Sequence, residues 1–378
     1  MECKFIQHGI AISYDNVIKP CCAWKSSPDW KKNNQYTNIN IESWHQNKEV
    51  IDQYNLLTQN IWPTGCVECK KVESQGRFDS IRGNGNNGYK HYDNDDITLE
   101  IRPGNTCNFA CQTCWPEASS RVAQYQHRAG LIDIKNLSNT RIENFDFLLP
   151  VTNRIKDVVL LGGEPFYDKS CLNFLKWAEE HLTANIMMFT NGSAIDFDFL
   201  NNYPGKLTVI FSLDAIGRPA EYIRYGTEWN TVLDNYKKVK LLSNVSVRVN
   251  ITCSVYNYIH IKELINFLCE DWPDVVTFGA PNQEYLLESV IPVPMRADII
   301  ASLNSAVDTI TNTEIESGQK SNAINAITSF ISNLKTQEWN HSDYKYFCDF
   351  VKKMDTVKNI HHGDYCNFLS QLLQQQIT

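Results

Sequence analysis

Three cysteines on one short stretch constrain this chain more than any other feature: Cys107, Cys111 and Cys114, spaced CxxxCxxC within 99–116 (LEIRPGNTCNFACQTCWP). Three thiolates so placed hold three corners of a [4Fe-4S] cube and leave the fourth iron without a protein ligand. Zinc would need a fourth ligand at matching spacing, which the loop lacks; a zinc knuckle and three unrelated buried thiols are the alternative readings. Ile97, Leu99 and Ile101 alternate ahead of the loop as in a strand, and 119–130 follows with a helical pattern. The cysteines therefore fall just beyond the C-terminal end of a strand, which in α/β barrels is the catalytic end.

The chain around this loop has a matching rhythm. Short apolar runs at 97–102, 157–161, 184–190, 207–213, 245–253 and 274–279 alternate with helical windows, the pattern of βα units around a parallel sheet. These six strands predict an α/β fold, a partial (β/α)6 barrel of TIM type over 96–290. Beyond Pro292 and Pro294 the composition turns polar and helical. Ala301, Leu303, Ala306, Val307 and Ile310 form one apolar face, and further faces at 324–334 and 344–354 make 291–378 a helical extension. His361, His362, Cys348 and Cys366 in this extension read as surface or packed residues.

Ahead of the barrel, 1–95 carries Cys3, Cys21, Cys22, Cys66 and Cys69. Two strands, 5–12 and 17–21, joined by a turn at 13–16 make a hairpin that brings Cys3 close to Cys21. A helix over 41–56 then leads to Cys66-Val67-Glu68-Cys69. Two hairpin thiols and a CxxC supply four ligands; Cys22 beside Cys21 leaves one of them open, and zinc is the alternative occupant. The glycine-rich 82–89 fits GxGxxG, but it neither follows a strand nor opens a helix, so it reads as a linker.

The predicted strand ends are polar. After the run at 157–161 come Gly162, Gly163, Glu164 and Pro165, where glycines admit a close backbone approach and the acid supplies an acceptor. The next strand ends at Asn191-Gly192, and the one after at Ser212-Leu213-Asp214, whose two polar residues share a face. Asp214 as a cap of the following segment is the competing reading. Arg224 presents a fork shaped for a carboxylate, or is a solvated surface arginine. On the fifth strand Val245, Val247, Val249 and Ile251 alternate with Ser246, Arg248, Asn250 and Thr252, a ladder suited to a ligand-holding lumen. Glu100 and Arg102 share that parity, as a substrate contact or an ion pair.

A net charge of -8 weighs against nucleic acid as partner. No apolar run approaches ~18 residues and no signal-peptide pattern opens the sequence, so a cytoplasmic protein with no membrane partner is expected. Thirteen cysteines, an odd number, read there as metal ligands and buried thiols rather than disulfides.

On the cysteine loop and the Gly162-Gly163-Glu164-Pro165 segment the chain resembles the radical S-adenosylmethionine (SAM) superfamily, defined by this cysteine spacing after the first barrel strand. The resemblance implies that a reduced [4Fe-4S] cluster on Cys107, Cys111 and Cys114 cleaves SAM to methionine and a 5′-deoxyadenosyl radical, which removes hydrogen from an unactivated carbon. It further implies that Gly162, Gly163 and Glu164 meet the SAM amino group, Ser212 and Asp214 the ribose, and Arg224 the carboxylate. Asn191, Arg248 and Asn250 stand with them as candidate SAM contacts, and Cys253 and Cys269 are candidate hydrogen donors. The segment 1–95 is similar to SPASM/twitch auxiliary domains, although those usually follow the barrel and commonly carry a glycine where Asn16 stands. That likeness implies a second, auxiliary [4Fe-4S] cluster on Cys3, Cys21, Cys66 and Cys69, an electron donor such as flavodoxin or ferredoxin, and a peptide or protein side chain as substrate. A small metabolite or nucleotide substrate, or a non-catalytic iron-sulfur or zinc protein that binds a partner, are the alternatives.

Overall fold

The apolar runs become strands in a computed structural model that describes residues 1–13, 15–74, 80, 82, 95–137 and 141–375. β3 (Ile97–Arg102), β4 (Ile155–Leu160), β5 (Asn185–Thr190), β6 (Leu207–Ser212), β7 (Val245–Thr252) and β8 (Val275–Gly279) each begin and end within two residues of the expected run. Ahead of them lie β1 (Gly9–Ser13) and β2 (Ile18–Lys19). The chain is mixed α/β with mainly parallel strands, and it divides into two compact units.

The first unit takes in Met1–Asn105, Ser138–Met188 and Asp196–Leu207, with strand order β2-β1-β3-β4-β5. β1 pairs antiparallel with β2 and parallel with β3, and β4 pairs parallel with β3 and β5. β3 is buried almost throughout, as a central parallel strand covered on both faces is, although its sequence alternates: Thr98 and Glu100 are buried along with Ile97, Leu99 and Ile101. The helix Lys169–His181 follows β4 and buries Cys171, Phe174, Leu175 and Ala178, the stripe that helical spacing predicts. Its start is fixed by the Asp168 carboxylate, which accepts from the Ser170 and Cys171 amides.

Two expectations in this unit need correction. Of the strand expected over 5–12, only the part from Gly9 is strand, in β1; the residues before it form a helix, Lys4–His8, that turns abruptly into β1. Gly9 makes the turn possible: a Cβ there would sit 2.1 Å from the Pro20 carbonyl oxygen and 2.4 Å from that of Phe5. The helix expected over 41–56 is broken in two, a 3-10 segment Ile41–Gln46 and a helix Lys48–Thr58. Asn47 divides them, its side chain accepting from the Glu49 amide and starting a new helix. In the β1–β2 turn Asn16 adopts φ 64°, a left-handed conformation that asparagine tolerates better than most residues and that a glycine would otherwise supply. Tyr14 of that turn and 83–89 of the glycine-rich stretch lie outside the described residues.

The second unit takes in Thr106–Leu137, Phe189–Ile195 and Thr208–Thr378, with strand order β6-β7-β8. β7 buries Val247, Val249 and Ile251 and leaves Ser246, Arg248, Asn250 and Thr252 half-buried, the alternation read from its sequence. The extension is helical as expected: Arg296–Asn312 packs on Ser317–Thr336 and on Ile261–Glu270, while His341–Lys358 packs on Ser120–Arg128. No helix among the described residues is long and apolar enough to cross a membrane.

Candidate metal centre

The cysteine loop is held as if it were an edge strand. The Ala110 amide donates to the Tyr225 carbonyl at 2.8 Å and the Gln112 amide to that of Ile223 at 2.7 Å. Gly226, at φ 109°, lets the two segments approach, since a Cβ there would lie 3.0 Å from the Asn108 carbonyl oxygen. From the far end of the chain, Lys358 closes the other side, its ammonium donating to the Ala110 carbonyl at 2.9 Å and to Gln112 Oε1 at 3.1 Å. Arg121 also donates to the Asn108 carbonyl. This backbone support fixes where Cys107, Cys111 and Cys114 stand, and all three are thiols of intermediate exposure, not disulfide partners.

Burial pushes the Cys111 and Cys114 thiols up, and for Cys114 the neighbouring Cys111 and Cys107 add to the effect. Without a cation Cys111 and Cys114 prefer to be neutral, and loading them with metal must release protons. Donors already face one sulfur: the Phe109 amide lies 3.4 Å from Cys107 Sγ and Asn191 Nδ2 3.9 Å from it. No group of three or more His, Cys, Asp or Glu side chains among the described residues is set to share a single metal ion. A cube makes a different demand, because each thiolate takes its own iron.

Around the loop, Arg224 and Asp214 pair with each other, Nη1 to Oδ2 at 2.9 Å, with Asp214 fully buried. Asp214 also accepts from the Thr252 amide at 2.8 Å, and its carbonyl from Asn257 Nδ2 at 2.8 Å. Burial opposes the charge on Arg224, but Cys111 and Asp214 outweigh it and hold the guanidinium more firmly protonated than usual. Asp214 therefore anchors the arginine and the end of β7. Arg224 Nε and Arg248 Nε are among the buried donors of this unit that have no hydrogen-bond partner. Ser212 ends β6 half-buried, and Asn250 Oδ1 accepts from the Thr277 hydroxyl at 3.0 Å. Asn191 donates to Asn108 Oδ1 at 2.9 Å and accepts from the Ser193 amide.

In the first unit, Gly162 takes φ 138°, and a Cβ on it would lie 2.6 Å from the Gly104 carbonyl oxygen. Gly104 in turn abuts Asp168, whose Oδ2 is 2.6 Å from where a Cβ would stand. Glycine is thus required on both sides of this contact. Glu164 is buried, and its carbonyl accepts from the Tyr167 and Asp168 amides to close the turn after Gly162 and Gly163.

The N-terminal cysteines separate cleanly. Cys3, Cys21, Cys66 and Cys69 line one cavity together with Trp24 and Arg82. Burial is the main cause that pushes the Cys3, Cys21 and Cys66 thiols up, Cys66 to about 12. Trp24 Nε1 is a buried donor with no partner, suited to a sulfide or thiolate acceptor. Cys22 instead lines a second cavity with Glu100 and Arg102.

Sequence reasoning missed Lys358, Trp24 and Arg121. Lys358 is buried, and burial outweighs the attraction of Cys111 and Asp355 to bring its ammonium down to about 7. Its neighbours form a buried network in which Tyr222 donates to Asp355 Oδ1 at 2.9 Å and His362 Nδ1 lies 2.8 Å from Oδ2. His362 and the buried Cys348 and Cys366 are packed residues. Cys253 is wholly buried beyond the end of β7, and Cys269 is half-buried.

A family described as a 4Fe-4S single cluster domain matches residues 104–207, a span that includes Cys107, Cys111, Cys114, Gly162 to Glu164 and Asn191. No curated protein matches the chain. Among solved structures it is similar to native anSMEcpe with bound AdoMet, at 18% identity over 57% of this chain and 60% of that one with a TM-score of 0.40. It is also similar to Streptococcus suis SuiB bound to S-adenosylmethionine, at 16% identity over 74% of this chain and 62% of that one with a TM-score of 0.37. A third is TYW1 with a lysine-pyruvate adduct bound, at 15% identity over 69% of this chain and 89% of that one, TM-score 0.37. The chain spans about three fifths of the length of the first two. The chain is thus a mainly parallel α/β protein, and its segment 104–207 is similar to 4Fe-4S single cluster domains.

Proposed function

We propose that the chain is a radical SAM enzyme whose [4Fe-4S] cluster is held by Cys107, Cys111 and Cys114 and which acts on a peptide or protein side chain. One observation carries this reading: the segment similar to 4Fe-4S single cluster domains offers three cysteines on one loop and no fourth on that loop, Cys171 being buried in the helix Lys169–His181, so one iron is left for an exchangeable ligand. When bound and reduced, such a cluster supplies the electron that splits SAM into methionine and a hydrogen-abstracting 5′-deoxyadenosyl radical.

The chain's own residues bind and orient. The ladder of hydrogen bonds from 223–225 and Lys358 fixes the cysteine loop. Arg224, held by Asp214, keeps Nε without a partner, and Arg248 does the same on β7, which fits two acceptor-rich groups such as a carboxylate and a ribose. Asp214 is assigned the task of holding Arg224 rather than of touching the ribose; Ser212 is the hydroxyl kept for that contact. Gly162, Gly163 and Glu164 are assigned to the SAM amino group, and Asn191 and Asn250 to the polar surround.

Cys3, Cys21, Cys66 and Cys69 are assigned a second cluster, with Trp24 as a donor to it; Cys21 rather than Cys22 is the hairpin ligand because it lines the shared cavity. The auxiliary set is the feature shared with the SPASM/twitch class and supports the peptide assignment. A flavodoxin or ferredoxin is the electron source proposed. Iron and sulfide analysis of the anaerobically reconstituted protein tests the assignment. About eight irons are expected, falling by about half in the Cys66→Ala, Cys69→Ala double variant. Zinc in place of iron at the N-terminal site, or an undiminished count in the double variant, would remove the second cluster from the account.

A further inference from the structure

The second cavity in the first unit belongs to neither cysteine set. It lies at the C-terminal ends of β1 and β3, the end of a parallel sheet at which ligands bind in α/β folds. The register explains why it exists. Ala11 stands opposite Lys19 on one side and Glu100 on the other, and Ser13 stands opposite Arg102. Same-face neighbours two residues apart thus place a small residue between two long charged ones, and the space above Ala11 stays open. Its volume is about 40 Å³, and Ser13, Lys19, Cys22, Glu100 and Arg102 line it. A single water needs about 10–15 Å³ on this measure, so the space suits a group of about three heavy atoms.

The hydrogen-bond inventory is one-sided. Glu100 is buried and its Oε2 accepts from the Cys22 amide at 2.5 Å. Lys19 pairs with Asp15, Nζ to Oδ2 at 3.4 Å, and lies 3.5 Å from Ser13 Oγ. Arg102, on the cavity wall, makes no hydrogen bond or ion pair among the described residues. Arg102 keeps its planar fork of guanidinium donors without a hydrogen-bond acceptor, with the charge of the neighbouring Glu100 acting on it, beside an ammonium whose ion pair with Asp15 is long; the group of matching size and planarity is a carboxylate.

We infer that this cavity is a binding subsite for a carboxylate, held by Arg102 and Lys19 on the floor formed by Ala11. The carboxylate is borne either by an acidic side chain or C-terminus of a peptide or by a free small acid. The inference stands apart from the radical SAM reading, because its test needs no cluster turnover.

Saturation-transfer NMR on the full-length protein is the test, with acetate as probe and acetamide as its uncharged counterpart. Acetate is expected to receive saturation and acetamide not, and Arg102→Met is expected to weaken acetate by about tenfold or more. Lys19→Met, which keeps the guanidinium, weakens it less and decides the matter if Arg102→Met does not fold. A blocked tripeptide with a central glutamate, compared with its glutamine counterpart, distinguishes the sources: tighter binding than acetate assigns the site to a peptide carboxylate, equal or weaker binding to a free acid. Equal behaviour of acetate and acetamide, or acetate binding untouched by both substitutions, overturns the inference.

Discussion

A lysine that no motif flags closes the candidate centre. Lys358 reaches the Ala110 carbonyl from 248 residues further along the chain, at the last residue of the helix His341–Lys358. Lys358→Met keeps the aliphatic stem but leaves that carbonyl and Gln112 Oε1 without their donor, a loss of about 1–3 kcal/mol for buried acceptors. The expected outcome is a folded protein that surrenders iron to a chelator faster than the parent; equal release rates would show that the loop holds itself. The cysteines were legible because their spacing is local and the chemistry of three thiolates is specific. Lys358 was not, since a lysine near a helix end is unremarkable until the partner is known. Asp214 and Arg224 lie between these cases. Their residue types pointed to a polar site, but the ion pair that binds them to each other depends on how the segment after β6 folds back, which spacing does not reveal.

Among elements, the strands were the most readable, because a strand shows either as a short apolar run or, as in β3 and β7, as an apolar residue at every second position. The failures occurred where one residue overrides a pattern: Gly9 permits a helix to run straight into β1, and Asn47 cuts one helical window into two. The turn after β4 tests the same principle of single-residue control. Gly162→Ala places a methyl 2.6 Å from the Gly104 carbonyl at a φ of 138° that an L side chain rarely adopts. A destabilisation of about 2–3 kcal/mol is expected, read as a lower urea midpoint at unchanged slope. An unchanged midpoint would mean that this turn tolerates ordinary backbone geometry.

For the whole molecule, acid sensitivity has an identifiable source away from the thiols. His45 has its pKa lowered to about 4 by burial and by the nearby Arg154, against the Gly9 carbonyl that favours the protonated ring. Its ordinary value is 6.5, so between pH 6.5 and about 4 the unfolded chain takes up a proton that the folded chain refuses. The stability associated with neutral His45 is therefore full above pH 6.5 and lost as pH falls toward about 4, to the extent of about 3 kcal/mol. Denaturant titrations of His45→Gln should show a flatter pH dependence across that window than the parent; parallel curves would place the sensitivity elsewhere.

The central claim is that Cys107, Cys111 and Cys114 hold a cluster whose open iron takes SAM. Product analysis of the anaerobically reconstituted, dithionite-reduced protein mixed with SAM tests it most directly. The account predicts 5′-deoxyadenosine from the parent and none from the Cys107→Ala, Cys111→Ala, Cys114→Ala variant. Fully loaded clusters that yield no 5′-deoxyadenosine, or equal yield from the triple variant, would contradict it.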